Sequence, residues 1–284
     1  MLECFRRAKT AEIALLKALA ARGTMPPPLQ GFRPPFVETL KARPAPPLAV
    51  IAEYKRASPS EGDINPGARP EDVAAAYAEA GAGALSVLTE SEYFKGDISY
   101  IARMTGPGLP LLRKDFIFHP LQVEHSAATP ASAVLLIARM LTDDALRELA
   151  RRCTELGLTP VTEVFDEQDV TRAKAAGASV IQVNNRNLDT LRVDTEISRR
   201  LVAGKGEREF WITASGIREH SDLVAAAAAG FDAALIGTSL MRENKPGEAL
   251  TALLQGRMQA SPDADVGGGH EGRSPLSEKG KRHA

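Results

Sequence analysis

Glu53 and Lys55 stand two residues apart at the end of the apolar run Ala49-Val50-Ile51-Ala52. On a β-strand that spacing puts both side chains on one face. A carboxylate and an amine at the end of a buried strand are costly to desolvate and can exchange protons with a bound molecule. The plainer reading is an ordinary ion pair at a strand end. Similar groups recur further along. Lys114 and Asp115 follow Leu111-Leu112-Arg113, Glu163 lies between Thr162 and Val164 in another apolar run, and Asn184 and Arg186 close a third. Singly, each has a plain explanation as a solvated strand end, a cap or turn chemistry. Gathered at one mouth, two lysines, two glutamates, an asparagine and an arginine are an acid–base site.

Two loops suggest what such a site holds. Ala214-Ser215-Gly216-Ile217 and Ile236-Gly237-Thr238-Ser239 each put a glycine beside small hydroxyl residues after an apolar run. Glycine lets backbone N–H groups approach an anion, and a following helix N-terminus favours it. Gly216, Gly237 and Thr238 are therefore candidate phosphate-binding residues, with Ser215 beside them. The competing reading is a tight strand-to-helix turn with serine caps.

The elements that must position these groups follow a rhythm. Strand-like runs at 50–55, 84–89, 109–114, 133–137, 158–164, 180–184, 210–214 and 233–237 number eight. Helix-like stretches lie between them, at 70–80, 142–156, 167–176 and 219–229 among others, several ending in Ala-Gly. Alternating strand and helix predicts parallel pairing with right-handed crossovers. Eight units predict a closed (β/α)8 TIM barrel, whose sites lie at the carboxyl ends of the strands and whose last two loops commonly take phosphate. A doubly wound open sheet is the competitor, but its G-x-G-x-x-G turn is absent after the first strand.

Ahead of the barrel, residues 3–22 carry an apolar stripe (Ile13, Leu16, Ala20) that predicts one helix ending at Gly23, before Pro26-Pro27-Pro28. Residues 36–41 predict one or two further turns. The segment 1–48 has too small a core to stand alone and is expected to pack on a barrel spanning 49–255. The remainder, 256–284, is rich in Gly, Ser and charge and predicts a disordered tail, which makes His270 and His283 poor catalytic candidates.

The 284 residues are 44% hydrophobic and 25% charged, with a net charge of -1. That balance argues against general binding to nucleic acid or a membrane surface, but permits a small anionic ligand held by local groups. Cys4 and Cys153 are far apart in sequence and form no metal-like spacing. The charged start lacks a long apolar segment, and no run approaches the roughly 20 residues that span a bilayer. The expectation is a cytoplasmic protein, a monomer or weak oligomer.

Seven pieces of the chain, I-A-E-Y-K-R-A-S-P-S-E-G (51–62), L-S-V-L-T-E (85–90), L-R-K-D-F-I (112–117), T-E-V (162–164), V-N-N-R-N-L (183–188), S-G-I (215–217) and L-I-G-T-S-L-M (235–241), resemble in order and spacing the indole-3-glycerol phosphate synthase family. The first and third are highly specific, whereas S-G-I and I-G-T-S alone would be weak. The resemblance implies a (β/α)8 barrel with an extra N-terminal helical segment over the mouth. It implies the small phosphorylated, anthranilate-derived substrate 1-(2-carboxyphenylamino)-1-deoxyribulose 5-phosphate, closed to indole-3-glycerol phosphate in tryptophan biosynthesis with loss of CO2 and water and no cofactor. It implies that Lys114 is the acid that protonates the ketone oxygen. Lys55 would anchor the substrate carboxylate and act as second acid, and Glu163 would balance charge at the anilino nitrogen or take a proton. Glu53 would hold the lysines and serve as the final base. Asn184, Arg186, Ser58 and Ser215 would orient the substrate, and Phe94, Phe116 and Leu135 would wall its ring. Both lysines are expected to be desolvated enough to bring their acidity toward neutral pH.

The chain departs from the family's pattern at three places. Ala214 stands where glutamate often precedes S-G-I, Gln182 where glycine is common, and Asp97-Ile98 where G-S-L is frequent. Gln182 is expected to narrow the mouth. The neighbouring isomerase of the same pathway and a non-catalytic paralogue that binds a phosphorylated ligand are the alternatives. The isomerase would need a cysteine and an aspartate, and both cysteines are misplaced for it.

Overall fold

A computed structural model describes residues 2–42, 47–187 and 190–257. The tail expected to be disordered falls outside the described residues beyond 257, as does Leu188 of the V-N-N-R-N-L motif. In chain order the strands are β1 (Ala49–Tyr54), β2 (Ala57–Ser58), β3 (Gly62–Asp63), β4 (Ala84–Leu88), β5 (Leu111–Lys114), β6 (Ala133–Ile137), β7 (Thr159–Val164), β8 (Val180–Asn184), β9 (Phe210–Ala214) and β10 (Ala233–Ile236). The helices are α1 (Leu2–Ala8), α2 (Thr10–Ala21), α3 (Phe36–Ala42), α4 (Pro70–Glu79), α5 (Ser99–Arg103), α6 (Pro120–Ala127), α7 (Asp143–Glu155), α8 (Glu167–Ala175), α9 (Glu196–Val202), α10 (His220–Ala229), α11 (Thr238–Met241) and α12 (Pro246–Leu254).

Strands β1 and β4 to β10 close a barrel in the order β1-β10-β9-β8-β7-β6-β5-β4, every pair parallel, with β1 joined to both β10 and β4. The eight predicted runs are these strands, shifted by a residue or two at their ends. They are apolar throughout because both faces are covered. Along β1, Val50, Ala52 and Tyr54 join the helix-facing cluster, while Ala49 and Ile51 belong to the inner one. The same alternation puts Leu112, Val161, Val180 and Ile212 inside. The inner-facing register thus runs from small apolar residues at strand starts to Glu53, Lys114, Glu163 and Asn184 at strand ends. The short antiparallel pair β2–β3, in the loop after β1, was not foreseen.

The crossover helices start on caps that their sequences supply. Thr142 accepts from the Ala145 amide at 3.2 Å, Asp166 from the Asp169 amide at 2.8 Å, and Glu219 and Asp222 form a reciprocal box at α10.

The amino-terminal segment corrects one expectation. The stretch read as one helix is two, α1 and α2, divided at Lys9. Lys9 is buried, and its ammonium pairs with Asp115 at 2.8 Å and with Glu12. Lys9 keeps helical backbone angles, and its amide still donates to the Phe5 carbonyl at 3.3 Å, so Phe5, Lys9 and Leu16 lie on one face of the two helices, toward the barrel. Phe5 stacks on Phe116 at 4.2 Å, while α2 packs on α6 and α3 packs on β1 and β4. Phe36 and Leu40 of α3 share the inner cluster with Ala49, Ala84, Ala133, Val180, Phe210 and Ala233, the residues that open or nearly open their strands. They seal the amino-terminal end of the barrel, each burial contributing about 2 kcal/mol. No helix among the described residues is long and apolar enough to cross a membrane.

Candidate active site

At the carboxyl ends of the barrel strands a cavity of about 130 Å³ is lined by both charged and apolar groups. Eleven of the residues singled out in the sequence meet in it: Glu53, Lys55, Ser58, Phe94, Lys114, Phe116, Leu135, Glu163, Asn184, Arg186 and Ser215, with Thr238 also on its wall. Gly216 and Gly237 do not line it.

Its charges form two pairs, one along β1 and one bridging β5 and β7. On β1, Glu53 Oε1 lies 3.1 Å from Lys55 Nζ, which also donates to Thr238 Oγ1 at 2.9 Å. The other Glu53 oxygen accepts from Ser86 at 3.3 Å. Lys114 Nζ at the end of β5 reaches across β6 to Glu163 Oε2 of β7 at 3.4 Å. Glu163 is 2% exposed as a side chain, and Lys114 17%. Glu163 also accepts from Gln182 Nε2, so its carboxylate is held on two sides.

The expectation of softened lysine acidity is corrected for Lys114. Burial opposes its charge, but the carboxylates of Glu163 and Glu53 outweigh that cost, and its pKa is raised above the ordinary lysine value. Lys114 is a charged ammonium at neutral pH, held in that state by its carboxylate partners.

Gln182 also differs from expectation. It is fully buried and lies below the cavity, so it fills space under Glu163 and does not narrow the mouth.

The apolar wall is aromatic. Phe116 has Phe5 stacked on it and Phe94 at 6.2 Å, while Tyr93 meets the edge of Phe5 at 5.1 Å. Glu90 sets the Phe94 loop by accepting from the amides of Glu92, Tyr93 and Phe94. Leu88, Ile137 and Leu191 complete the wall. Sequence reasoning missed Phe5, because its place is set by contacts with Tyr93 and Phe116, far along the chain. It also missed Leu191, which stands in a turn with no local mark of function.

Asn184 Oδ1 accepts from Ser215 Oγ at 2.9 Å and from the Arg186 amide at 3.0 Å, linking β8 to the loop after β9. The neighbouring Asn185 is buried, and its side-chain amide donates to the Ser215 carbonyl at 2.9 Å. Ser215 is held at a φ of 67°, a left-handed conformation unusual for serine, and Gly216 follows at 95°. A Cβ at Gly216 would stand 2.7 Å from Thr195 Cγ2, so the position needs glycine for backbone angle and for space. A Cβ at Gly237 would strike the Glu53 carboxylate at 2.4 Å. Burial lowers the pKa of Arg186, with Glu61 opposing and Arg218 and Arg242 adding to the fall, so three guanidinium groups lie around these loops.

Behind the lysine runs a second, fully covered network. Arg113 points outward from β5 and is 1% exposed. It meets Asp115 at 2.9 Å and Glu12 at 3.1 Å, and donates to Ser126 at 2.9 Å. Asp115 also accepts from Thr89 at 2.6 Å and from the Phe116 amide at 2.8 Å. Burial raises the Asp115 pKa, yet Arg113 and Lys9 outweigh it and hold the carboxyl below its ordinary value. Asp115 anchors the loop after β5 to α1 and α2.

Solved structures with a similar fold share little sequence with it. A 3-hexulose-6-phosphate synthase from Salmonella typhimurium matches 74% of this chain and 98% of its own, with a TM-score of 0.59 at 12% identity. That likeness is of fold alone. The sequence carries more. A relative from Mycolicibacterium gilvum (strain PYR-GCK), named indole-3-glycerol phosphate synthase, is 40% identical over 248 residues, 87% of this chain and 88% of the relative. Another of that name from Desulfosudis oleivorans is 43% identical over 222 residues, 78% of this chain and 84% of the relative. The family model described as indole-3-glycerol phosphate synthase matches residues 8–253, nearly the whole barrel together with α2 and α3. With paired lysines and glutamates, an aromatic wall and hydroxyl-lined loops at one mouth, the chain belongs to the indole-3-glycerol phosphate synthase family.

Proposed function

We propose that these residues carry out the family's ring closure, decarboxylation and dehydration in named roles. The Lys114–Glu163 pair carries the reading: a charged ammonium at 3.4 Å from a buried carboxylate, beneath an aromatic wall. Lys114 donates a proton to the ketone oxygen as the aromatic carbon attacks the carbonyl carbon. The carbon–carbon bond forms, the former ketone becomes a hydroxyl, and loss of CO2 restores the ring. Glu163 stays beneath the anilino nitrogen and offsets the positive charge that grows there, or takes its proton. Lys55 first holds the substrate carboxylate, then donates a proton to the departing hydroxyl. Glu53, between Lys55 and Ser86, receives the proton that completes the indole. Preorganised charge of this kind needs no rearrangement at the moment of reaction.

Asn184, Arg186, Ser58 and Ser215 orient the substrate's polyol and carboxylate, and Phe94, Phe116 and Leu135 hold its ring. The amides around Gly216 and Gly237, with Thr238, take the phosphate. Their position beside Lys55 and near Arg186 supports this even though the glycines stand back from the cavity. We further propose that α1 is an extra segment over the mouth, with Phe5 as its contact to the aromatic wall, and that the protein works as a monomer.

The test is formation of indole-3-glycerol phosphate by purified protein, followed by its fluorescence without added metal or nucleotide. Turnover, with kcat sensitive to Lys114 and Glu163, supports the reading. Tight substrate binding without turnover favours a non-catalytic paralogue, which the missing carboxylate at Ala214 would suit.

A further inference from the structure

Gln182 is a buried polar group that the reaction roles above leave unused. It projects inward from β8, in register with Glu163 on β7, and is fully buried. Its Nε2 donates to Glu163 Oε2, the same oxygen that Lys114 approaches at 3.4 Å. Its Oε1, equally buried, has no hydrogen-bond partner. Buried acceptors are rarely left unpaired.

The one-sided bonding has a simple cause. An ionised carboxylate only accepts hydrogen bonds, so the amide must present its nitrogen, and the oxygen is turned away. Once Glu163 carries a proton, it becomes a donor. A half-turn of the Gln182 amide then brings Oε1 to receive that O–H. An amide serves both states of its neighbour without adding charge; a methyl or methylene group serves neither. The charged groups facing Glu163 are Lys114 from β5 and, across the barrel, the Glu53–Lys55 pair of β1. Gln182 is thus a neutral partner of Glu163 in a ring of charges, and it does not line the cavity.

We propose that Gln182 is a positioning residue for the reaction. It fixes the Glu163 carboxylate while Lys114 gives up its proton, and by rotating its amide it accommodates Glu163 when that group is protonated. This rests on the roles proposed above for Glu163 and Lys114. Without Gln182, Glu163 would be free to follow Lys114, and the salt bridge would hold back the proton that the ketone needs.

The test is Gln182→Met, which keeps the length and bulk of the side chain and removes both hydrogen-bonding atoms. We expect kcat to fall about tenfold while KM changes less than about twofold, in keeping with the worth of one charge-assisted hydrogen bond in a dry site. We also expect the acid limb of the kcat profile to move to higher pH, because a donor to the ionised carboxylate has gone. A packing role would not move that limb. Unchanged kcat with an unchanged profile overturns the proposal, as does a loss of kcat with the profile in place. If the methionine variant does not fold, Gln182→Glu carries the test: it can donate only when protonated, so activity should shift to lower pH, and a parental profile refutes the idea. Glu163→Gln is measured alongside. If it retains kcat, the role of Glu163 itself is wrong; if it loses kcat while Gln182→Met does not, only the present inference fails.

Discussion

Replacing Lys114 with methionine removes the ammonium and nearly preserves the reach of the side chain. A positioned general acid contributes about 10²- to 10⁴-fold. At about 1.4 kcal/mol per decade, that is roughly 3–5 kcal/mol of barrier. The effect on folding should be much smaller. Breaking a fully buried pair by removing one partner costs about 3–5 kcal/mol, but Lys114 borders an open cavity and its contact with Glu163 is 3.4 Å. Glu163 keeps the Gln182 amide after the change. We therefore expect about 1–2 kcal/mol of lost stability, between the exposed and buried limits, or a melting temperature lower by about 5 °C. The assay pairs initial rates of product fluorescence with a thermal melt and a substrate-binding titration. The expected outcome is a kcat lower by at least about 100-fold with binding held within a few-fold. A Lys114→Arg variant should also be slow, since guanidinium keeps its charge but does not release its proton at working pH. A methionine variant within tenfold of the parent rate would remove Lys114 from the acid's role. So would a rate loss explained by unfolding alone.

Gly216→Ala should raise KM about tenfold with a smaller change in kcat, because its Cβ displaces Thr195 and forces a left-handed backbone beside Ser215; an unchanged KM would detach this loop from substrate binding. Arg113→Met removes one of the two cations beside Asp115, which keeps Lys9 and Thr89, and should cost about 2–3 kcal/mol, read as a fall in denaturation midpoint at constant m-value. A loss below about 1 kcal/mol would show that the network is not coupled to stability. The raised pKa of Lys114 makes its stabilising contribution complete below the ordinary lysine value of 10.5 and lost as pH climbs through the higher folded one. The same shift puts the basic limb of kcat/KM due to Lys114 above 10.5 in the free enzyme; a limb near pH 8 that vanishes in Lys114→Met would contradict it. For Asp115 the sign reverses. Its lowered pKa gives stability present above 3.8 that is lost as pH falls through the folded value, so acid unfolding should begin at higher pH once Asp115 is replaced by asparagine.

Much of the site was legible because a parallel barrel turns sequence spacing into geometry. A residue two places from an apolar inner position shares its face, so Glu53 with Lys55, and Lys114 with Leu112, follow from the strand period alone. The barrel's closure then brings distant strand ends to one mouth. What was not legible depends on contacts that no local pattern encodes. The burial of Lys9 depends on Asp115 and the stacking of Phe5 on Phe116, both more than a hundred positions away, so in the sequence Phe5 passes for an ordinary buried residue. The acidity of Lys114 was misjudged for a related reason: its lysine type suggested desolvation alone, while two carboxylates brought in by other strands decide the sign. Gln182 looked like added bulk in a strand, since the chemistry of an amide emerges only from the neighbour it meets.

The three residues Arg113, Lys114 and Asp115 face both layers of the wall at once. The inner one is the proposed proton donor, and the outer two are tied to Lys9, to Glu12 of α2 and to Ser126 of α6. In hydrogen exchange, the amides of this strand end should be among the slowest in the molecule, opening only with the barrel itself. The neighbouring part of the rim is built differently. The loops after β1 and β4 meet through the half-exposed Lys95–Asp63 pair, and the loop after β1 is tied to the end of α11 through Arg242–Glu61. Such contacts break and re-form at little cost. Added salt should therefore weaken these ties while leaving the buried contacts behind Lys114 in place.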